Sequence, residues 1–259
     1  MTKAIVFVGP TLARADAITI LDAEYRPPAQ MGDIYAAVLN APTAIGVVDG
    51  YFHSVPAVWH KEILFALAAG IHVYGAASIG ALRAAELAVF GMRGIGAIFN
   101  MYNNGVLEDD DEVAVVHGAE EQEYRGMSTP MVDIRDGLRR AVACGIISEE
   151  PSKQLLVLQK NRFYADRSWT SVFDDAKRMG LASVTKFSEF INHDVMSLKR
   201  RDAIELVTVM AREIPDLLPF SPQFRLESSW VFRQSFRTSS SSVRDELSWT
   251  PPWTSGTVM

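Results

Sequence analysis

Residues 71–86 read Ile-His-Val-Tyr-Gly-Ala-Ala-Ser-Ile-Gly-Ala-Leu-Arg-Ala-Ala-Glu, and this stretch decides the fold class. Its first four residues are mostly β-branched or aromatic, which predicts a buried strand over 71–74. The small residues from Gly75 to Ser78 predict a tight corner. The continuation, rich in Ala and Leu, predicts a helix over 79–90 that ends at Gly91. A strand that turns directly into a helix is the repeating unit of a parallel α/β sheet.

Two more strands are predicted on the N-terminal side of this unit. Residues 4–8 and 43–48 are short apolar runs that end at Gly9-Pro10 and Asp49-Gly50. Apolar residues at helical spacing predict helices over the segments that lie between the strands, 32–40 and 55–69. We therefore predict a Rossmann-like α/β fold, a parallel sheet with helices on both of its faces.

The character of the chain changes near Met131. The remaining patterns are amphipathic helices without strands between them, over residues 132–143, 149–164, 170–179 and 198–212. Beyond Pro215 the periodicity fades, and Ser, Pro and Trp become frequent. We expect three regions: an α/β core over 1–130, a helical subdomain over 131–215 and a flexible tail over 216–259.

Composition narrows the class of protein. The net charge of −6 offers no basic surface for nucleic acid and argues against an anionic membrane. Cys144 is the single cysteine, so no internal disulfide can form, which fits a reducing compartment. No apolar run is long enough for a signal segment or a membrane span. We expect a cytoplasmic protein.

The carboxyl ends of the predicted strands bring three polar or small residues to one edge: Gly9, Asp49 and Ser78. Ser78 lies between small residues, after a strand and before a helix, as the nucleophile does in a nucleophile elbow, although Ala76 replaces the first glycine of that pattern. Two other interpretations remain open. Ser78 caps the helix, or the free amides of the helix bind an anion there.

A serine nucleophile needs a base, and the loop and helix after the second strand offer candidates. His53 lies in the loop, so a set of Ser78, His53 and Asp49 is conceivable. Lys61 is another possible activator or a surface charge. Arg83 either binds a carboxylate or pairs with Glu86, three residues further along the helix.

The motifs of several cofactor classes are absent from the sequence. There is no phosphate-binding loop with Gly-Lys-Ser and no Gly-x-Gly-x-x-Gly after the first strand, so we expect no cofactor. No His/Cys cluster suits zinc. The acidic run over 105–112 lacks the ligand spacing of a calcium loop, and we interpret it as a solvated loop rather than a metal site.

The ordered set of motifs resembles the TfuA family. Asp49-Gly-Tyr-Phe52, Val58-Trp-His-Lys-Glu-Ile-Leu64 and the stretch from Gly75 to Leu87 look like the core of that family. Further matching segments are Gly9-Pro-Thr-Leu12, Gln30-Met-Gly-Asp33, Gly91-Met-Arg-Gly-Ile-Gly96 and Asp109-Asp-Asp-Glu-Val-Ala114. Together they cover roughly residues 5 to 135. One departure is Ala77, where the family pattern leads us to expect serine.

The resemblance implies a role in making ribosomal peptides or modified proteins that carry thioamides. The family was first named from trifolitoxin biosynthesis, so its peptide product is not a thioamide in every system. TfuA proteins act with YcaO enzymes, which use ATP to activate a backbone amide of the precursor peptide. They are linked to the release of sulfide from a thiocarboxylated carrier of the ThiS type. The alternative is a non-catalytic adaptor that binds and stimulates a YcaO enzyme.

We combine the residues and the resemblance into one hypothesis about the site. Ser78 is the nucleophile or an oxyanion-binding group, with His53 as base, and Asp49 and Lys61 are further catalytic candidates. Substrate-binding candidates are the residues of the first loop and of the corner helix: Gly9, Pro10, Thr11, Arg83 and Glu86.

Overall fold

A computed structural model describes residues 4–52 and 55–226. In this part of the chain five strands form one sheet, and every strand pairing is parallel. The strands are β1 (Ala4–Phe7), β2 (Glu24–Arg26), β3 (Ala44–Val47), β4 (His72–Ala76) and β5 (Arg93–Ile95). β1 and β3 are buried along their whole length, because helices cover both faces of the sheet. The predicted parallel α/β fold is confirmed.

The strands alternate with helices in the first half of the chain, and the second half is helical. The helices are α1 (Arg14–Ala17), α2 (Asp33–Val38), α3 (His60–Ala68), α4 (Ile79–Leu87), α5 (Gly96–Asn103), α6 (Met131–Ala143), α7 (Glu149–Lys160), α8 (Trp169–Arg178), α9 (Val184–Asp194) and α10 (Leu198–Glu213). The helix predicted over 55–69 begins later, at His60, because the Glu62 carboxylate accepts a hydrogen bond from Trp59 N and closes the first turn there.

The sequence patterns did not predict β2 and β5. Both are edge strands of three residues, and each contains a charged residue, so neither forms an apolar run. Only Tyr25 of β2 is buried. Pairing with the buried neighbours β1 and β4 makes these segments strands, and local propensity contributes little.

The order of the strands across the sheet is β2-β1-β3-β4-β5. The chain moves to one side of β1 to form β2 and then to the other side to form β3. The sheet is therefore doubly wound, and its direction of winding reverses between β1 and β3. Ligands of open α/β sheets bind beyond the carboxyl ends of the strands at such a switch point, so this edge is where a site is expected.

The helical half divides into two parts by packing. Helices α6 to α9 share a core of their own, which contains Leu138, Leu155 and Phe187. In contrast, α10 packs on the sheet: a Cβ added to Gly46 of β3 would lie 2.8 Å from Met210 Sδ and 3.2 Å from Leu206 Cδ2. The last long helix thus forms part of the layer that covers the sheet.

The predicted tail over 216–259 is described only as far as residue 226, and residues 227–259 lie outside the described part. Phe220 N donates a hydrogen bond to Gly70 O (2.8 Å), and His72 Nε2 contacts Leu218 O (2.7 Å). The start of this region therefore packs beside α3 and β4. Among the described helices, none has the length and apolar character needed to cross a lipid bilayer.

Candidate functional site

Asp49 follows β3 and holds the loop that follows β1. Its carboxylate accepts hydrogen bonds from Gly9 N (2.9 Å), Thr11 N (3.1 Å) and Thr11 Oγ1 (2.5 Å). The side chain is 1% exposed. The structure thus brings Asp49, Gly9 and Thr11 together at the switch point. Because both carboxylate oxygens are bound to this loop, the observed contacts make Asp49 a positioning residue.

Ser78 lies at the strand–helix corner, one strand further along the sheet. It occupies the residue before α4, but its side chain makes no capping hydrogen bond. No partner for its hydroxyl occurs among the described residues, and Ser78 is only 2% exposed. Ser78 therefore occupies the N-cap position of α4, but its side chain does not cap the helix, and the interpretation as a capping side chain is wrong.

The corner is tight because α4 begins almost in contact with the strands. A Cβ on Gly80 would lie 1.8 Å from Val47 O, and one on Gly75 would lie 2.1 Å from Gly80 O. Ala77 has a positive φ of 65°, an unfavourable conformation for a residue with a side chain. Strain at such a turn is typical of functional corners. Ala77, and not Ser78, carries it here.

Two backbone amides of the corner donate hydrogen bonds to carbonyl groups of the protein itself. Ser78 N donates to Ala76 O (2.7 Å), and Gly80 N lies 3.4 Å from Val48 O. These amides are therefore not free for a bound anion. The geometry supports an anion site at the start of α4 less well than the sequence suggested.

Sequence reasoning missed Lys199, which lies near the same edge. This residue is 3% exposed, and its Nζ donates to Val113 O (3.0 Å). Burial lowers the pKa of its amine, while the nearby carboxylates of Asp49 and Asp133 act in the opposite direction. Helical spacing was the available signal, because Lys199 shares a face of α10 with the buried residues Ala203, Leu206 and Met210.

Asp133 of α6 holds the start of α10 in place. Its carboxylate accepts hydrogen bonds from Ser197 Oγ (2.8 Å) and Lys199 N (3.1 Å). Burial raises the pKa of this carboxyl group. The position of Lys199 at the sheet edge is therefore set by contacts at both ends: backbone contacts to Asp133, and the contact of its amine with Val113.

The remaining predicted site residues lie elsewhere or are not described. His53 lies outside the described residues. Lys61 is exposed on the first turn of α3. Arg83 and Glu86 form the predicted ion pair (2.7 Å), and Arg83 Nε also donates to Val58 O (3.0 Å). Since this guanidinium is already bound, it is a poor free anchor for a carboxylate.

Gly9 and Pro10 line a cleft of about 390 Å³ beyond the ends of β1 and β2. Its walls carry charges of both signs, from Arg14, Arg26, Glu120, Glu123, Arg125 and Arg200. The cleft therefore combines apolar walls with charged groups of both signs, which suits a ligand that has an apolar part as well as donors and acceptors. Thr11 is not in its lining, because its side chain is turned inward to Asp49.

The acidic run over 105–112 surrounds a lysine. Lys160 Nζ of α7 lies 2.9 Å from both Asp109 Oδ2 and Glu112 Oε1, and it also pairs with Asp111. Arg167 pairs with Asp111, and Arg135 pairs with Glu112. These three carboxylates are close enough to hold a metal ion, but the ammonium group of Lys160 already occupies the position between them. The run connects the α/β core to α7 and is more than a solvated loop.

Comparison with known proteins agrees with the resemblance seen in the sequence. Residues 49–168 match the family of TfuA-like proteins. The matched segment contains Asp49 and Ser78 and continues through α7, whereas Gly9, Thr11 and Lys199 lie outside it. No curated protein is significantly similar to the chain.

Proposed function

We propose that this chain, whose residues 49–168 match the family of TfuA-like proteins, is an accessory protein of YcaO-dependent backbone thioamidation. In this role it releases sulfide from a thiocarboxylated, ThiS-like carrier protein, in the cytoplasm. The YcaO enzyme activates the amide of the precursor peptide, and this protein supplies the sulfur.

The catalytic part of the proposal rests on the burial of Ser78 and on the hydrogen bonding of its hydroxyl. Ser78 as a residue is 2% exposed at the carboxyl edge of a parallel sheet, and its hydroxyl has no hydrogen-bond partner among the described residues. The hydroxyl oxygen is not one of the fully buried unpaired side-chain atoms of the described part of the chain, so it keeps some accessible surface. A hydroxyl that serves neither as a cap nor in a network is available for chemistry.

The proposed reaction is an acyl transfer. Ser78 Oγ attacks the carbonyl carbon of the thiocarboxylate, the carbon–sulfur bond breaks, and hydrosulfide leaves. Water then hydrolyses the resulting ester, which restores the serine and leaves the carrier with an ordinary carboxylate. His53 stays a candidate base by its place in the loop after β3.

The test is sulfide release from the thiocarboxylated carrier in the absence of a YcaO enzyme. We expect wild type to release sulfide and Ser78→Ala to lose at least ~1,000-fold in rate. Ser188→Ala, which changes a partly exposed serine of α9 whose hydroxyl donates to Thr185 O, is the control. Circular dichroism verifies that each variant is folded.

The outcome separates the two functions under consideration. Full activity in folded Ser78→Ala removes this residue from the chemistry. If neither wild type nor the variant releases sulfide from a carrier that a YcaO system accepts, the protein is the non-catalytic adaptor.

A further inference from the structure

The cleft beyond the ends of β1 and β2 lies between two segments that are far apart in the sequence. One wall follows β1 and carries Arg14 of α1. The other wall is an arch, residues 117–126, which closes on itself through an antiparallel bridge between His117 and Gly126 and carries Arg125. The two walls meet only in the folded chain, so no motif of consecutive residues describes the cleft.

The arch keeps its shape against backbone strain. Glu123 and Tyr124, which line the cleft, have positive φ angles of 51° and 55°. Residues with a side chain rarely adopt this conformation, and it persists only where surrounding contacts fix it. Here aromatic rings do so, because the ring centroid of His117 lies 5.8 Å from that of Tyr124 and 5.3 Å from that of Tyr51, after β3. The arch is thus fastened to the carboxyl edge of the sheet.

The wall that follows β1 is also fixed before any ligand binds. The carboxylate of Asp49 accepts hydrogen bonds from Gly9 N and Thr11 N. Because these amides are used within the protein, the loop offers no nest of backbone N–H groups for a phosphate. The side chains of the cleft therefore have to supply its donors.

Two guanidinium groups of the cleft are unused. Arg14 and Arg125 have no ion-pair or hydrogen-bond partner for their side chains among the described residues. Arg26 and Arg200 differ from them, because each pairs with a carboxylate that does not line the cleft. A guanidinium group binds a carboxylate through two parallel N–H···O bonds. Arg14 and Arg125 are therefore suited to an acidic side chain of a ligand.

The carboxylates and the apolar residues of the cleft favour a peptide as that ligand. Glu120 and Glu123 have no ion-pair partner in the described part of the chain, so they can accept hydrogen bonds. A peptide backbone carries an N–H donor at every residue except proline. Leu12 and Tyr25 are buried residues that form part of the apolar lining. A peptide segment with an acidic side chain beside apolar ones matches all three features.

The cleft is close enough to the serine corner for one segment to reach both. Strand β3 pairs in register with β1 and with β4, and the register continued beyond the strands sets Gly9, Asp49 and Ala77 in one row. Neighbouring strands are about 4.8 Å apart, so Gly9 lies about 10 Å from the corner that contains Ser78. An extended chain covers this separation with about three residues.

We propose that this cleft docks an acidic segment of the protein that delivers the acyl group to Ser78, with Arg14 and Arg125 binding one of its carboxylates. The bound segment lies at least about three residues before the acyl end. This inference rests on the proposed function, in which a ThiS-like carrier brings the acyl group. Docking itself breaks no bond, so it can be measured apart from the chemistry.

The carboxylate form of the carrier tests docking, because it has no sulfur to release. Fluorescence anisotropy of the labelled carrier measures its dissociation constant. We expect Arg14→Glu and Arg125→Glu each to raise this constant at least ~10-fold. Lys186→Glu, which makes the same change of charge at an exposed residue of α9, keeps the wild-type value. Ser78→Ala keeps it too, and circular dichroism verifies that each variant is folded.

Reversing a charge on the carrier tests the pairing directly. Replacement of an acidic residue near the carboxyl end of the carrier by arginine weakens binding to wild type and restores part of the binding to Arg14→Glu. In the sulfide-release assay, Arg14→Glu and Arg125→Glu raise KM and leave kcat within about twofold, because they remove binding that the substrate and the transition state share.

The outcomes separate docking from catalysis. Wild-type affinity in both folded arginine variants overturns the docking proposal and leaves the role of Ser78 unchanged. An equal loss of affinity in Lys186→Glu overturns it as well, because net charge alone then explains the effect. A carrier that releases sulfide here but shows no arginine-dependent binding has the same meaning. Binding that depends on Arg14 and Arg125, combined with no sulfide release, retains the docking cleft and rejects only the hydrolysis.

Discussion

Asp202 shows how a single buried carboxyl group links the stability of this protein to pH. Its carboxylate accepts a hydrogen bond from Ile98 N (2.7 Å) at the start of α5, and it lies so close to Gly96 that no Cβ fits there. Burial raises the pKa of Asp202 to about 6. The folded state therefore holds this proton to a higher pH than the unfolded state does.

We expect the replacement Asp202→Asn to remove this pH dependence and retain a hydrogen-bond acceptor. As pH rises from about 3 to about 7, the free energy of unfolding of wild type should fall by about 3 kcal/mol relative to the variant. The loss occurs between the unfolded pKa and the folded pKa, because the unfolded state releases its proton first. Urea unfolding at a series of pH values measures the difference. Parallel curves for the two proteins would falsify this assignment.

At the scale of elements, the cluster around Lys160 joins α7 to the acidic run before α6. Glu112 is 3% exposed, so its charge depends on Lys160 and Arg135 for compensation. A buried carboxylate that loses its partner destabilises the protein more than a surface pair does. The cluster is therefore a structural joint between the sheet half and the helical half.

Lys160→Met should lower the free energy of unfolding by about 2–3 kcal/mol. Lys153→Met on the same helix is the matched control. Its pair with Glu149 is exposed on both sides, so its loss should cost less than about 0.5 kcal/mol. Chemical denaturation of the three proteins measures both effects. Equal costs for the two variants would show that the cluster contributes no more than a surface ion pair.

At the scale of the whole molecule, the separate apolar core of α6 to α9 predicts a region whose local stability differs from that of the sheet and α10. Leu155 belongs to the core of α6 to α9, whereas α10 belongs to the layer over the sheet. We expect Leu155→Ala to cost about 2–5 kcal/mol and to increase amide hydrogen exchange in α6 to α9. Amides of α10 and of β1, β3 and β4 should keep their protection. Loss of protection across all helices, α10 included, contradicts this division.

Local sequence patterns were sufficient to predict those strands and helices whose own residues form an apolar run or a helical repeat. The apolar runs of β1, β3 and β4 predicted a parallel sheet, and parallel strands necessarily bring Asp49 and Ser78 to one edge. The three-residue strands β2 and β5 were missed, because they form by pairing with their neighbours. The start of α3 differs from the predicted start, because the hydrogen bond from Trp59 N to the Glu62 carboxylate closes the first turn of the helix at His60.

The sequence by itself determined the α/β class, the serine corner and the family resemblance, because each depends on the pattern of residues within short continuous segments. Only the tertiary structure decided how the polar groups are used. It directs the carboxylate of Asp49 to Gly9 and Thr11, pairs Arg83 with Glu86, and brings Lys199 from the last long helix to the edge that holds Ser78. The physical reason is that periodicity reports which face of an element is buried, whereas the partner of a polar group depends on how distant elements pack together.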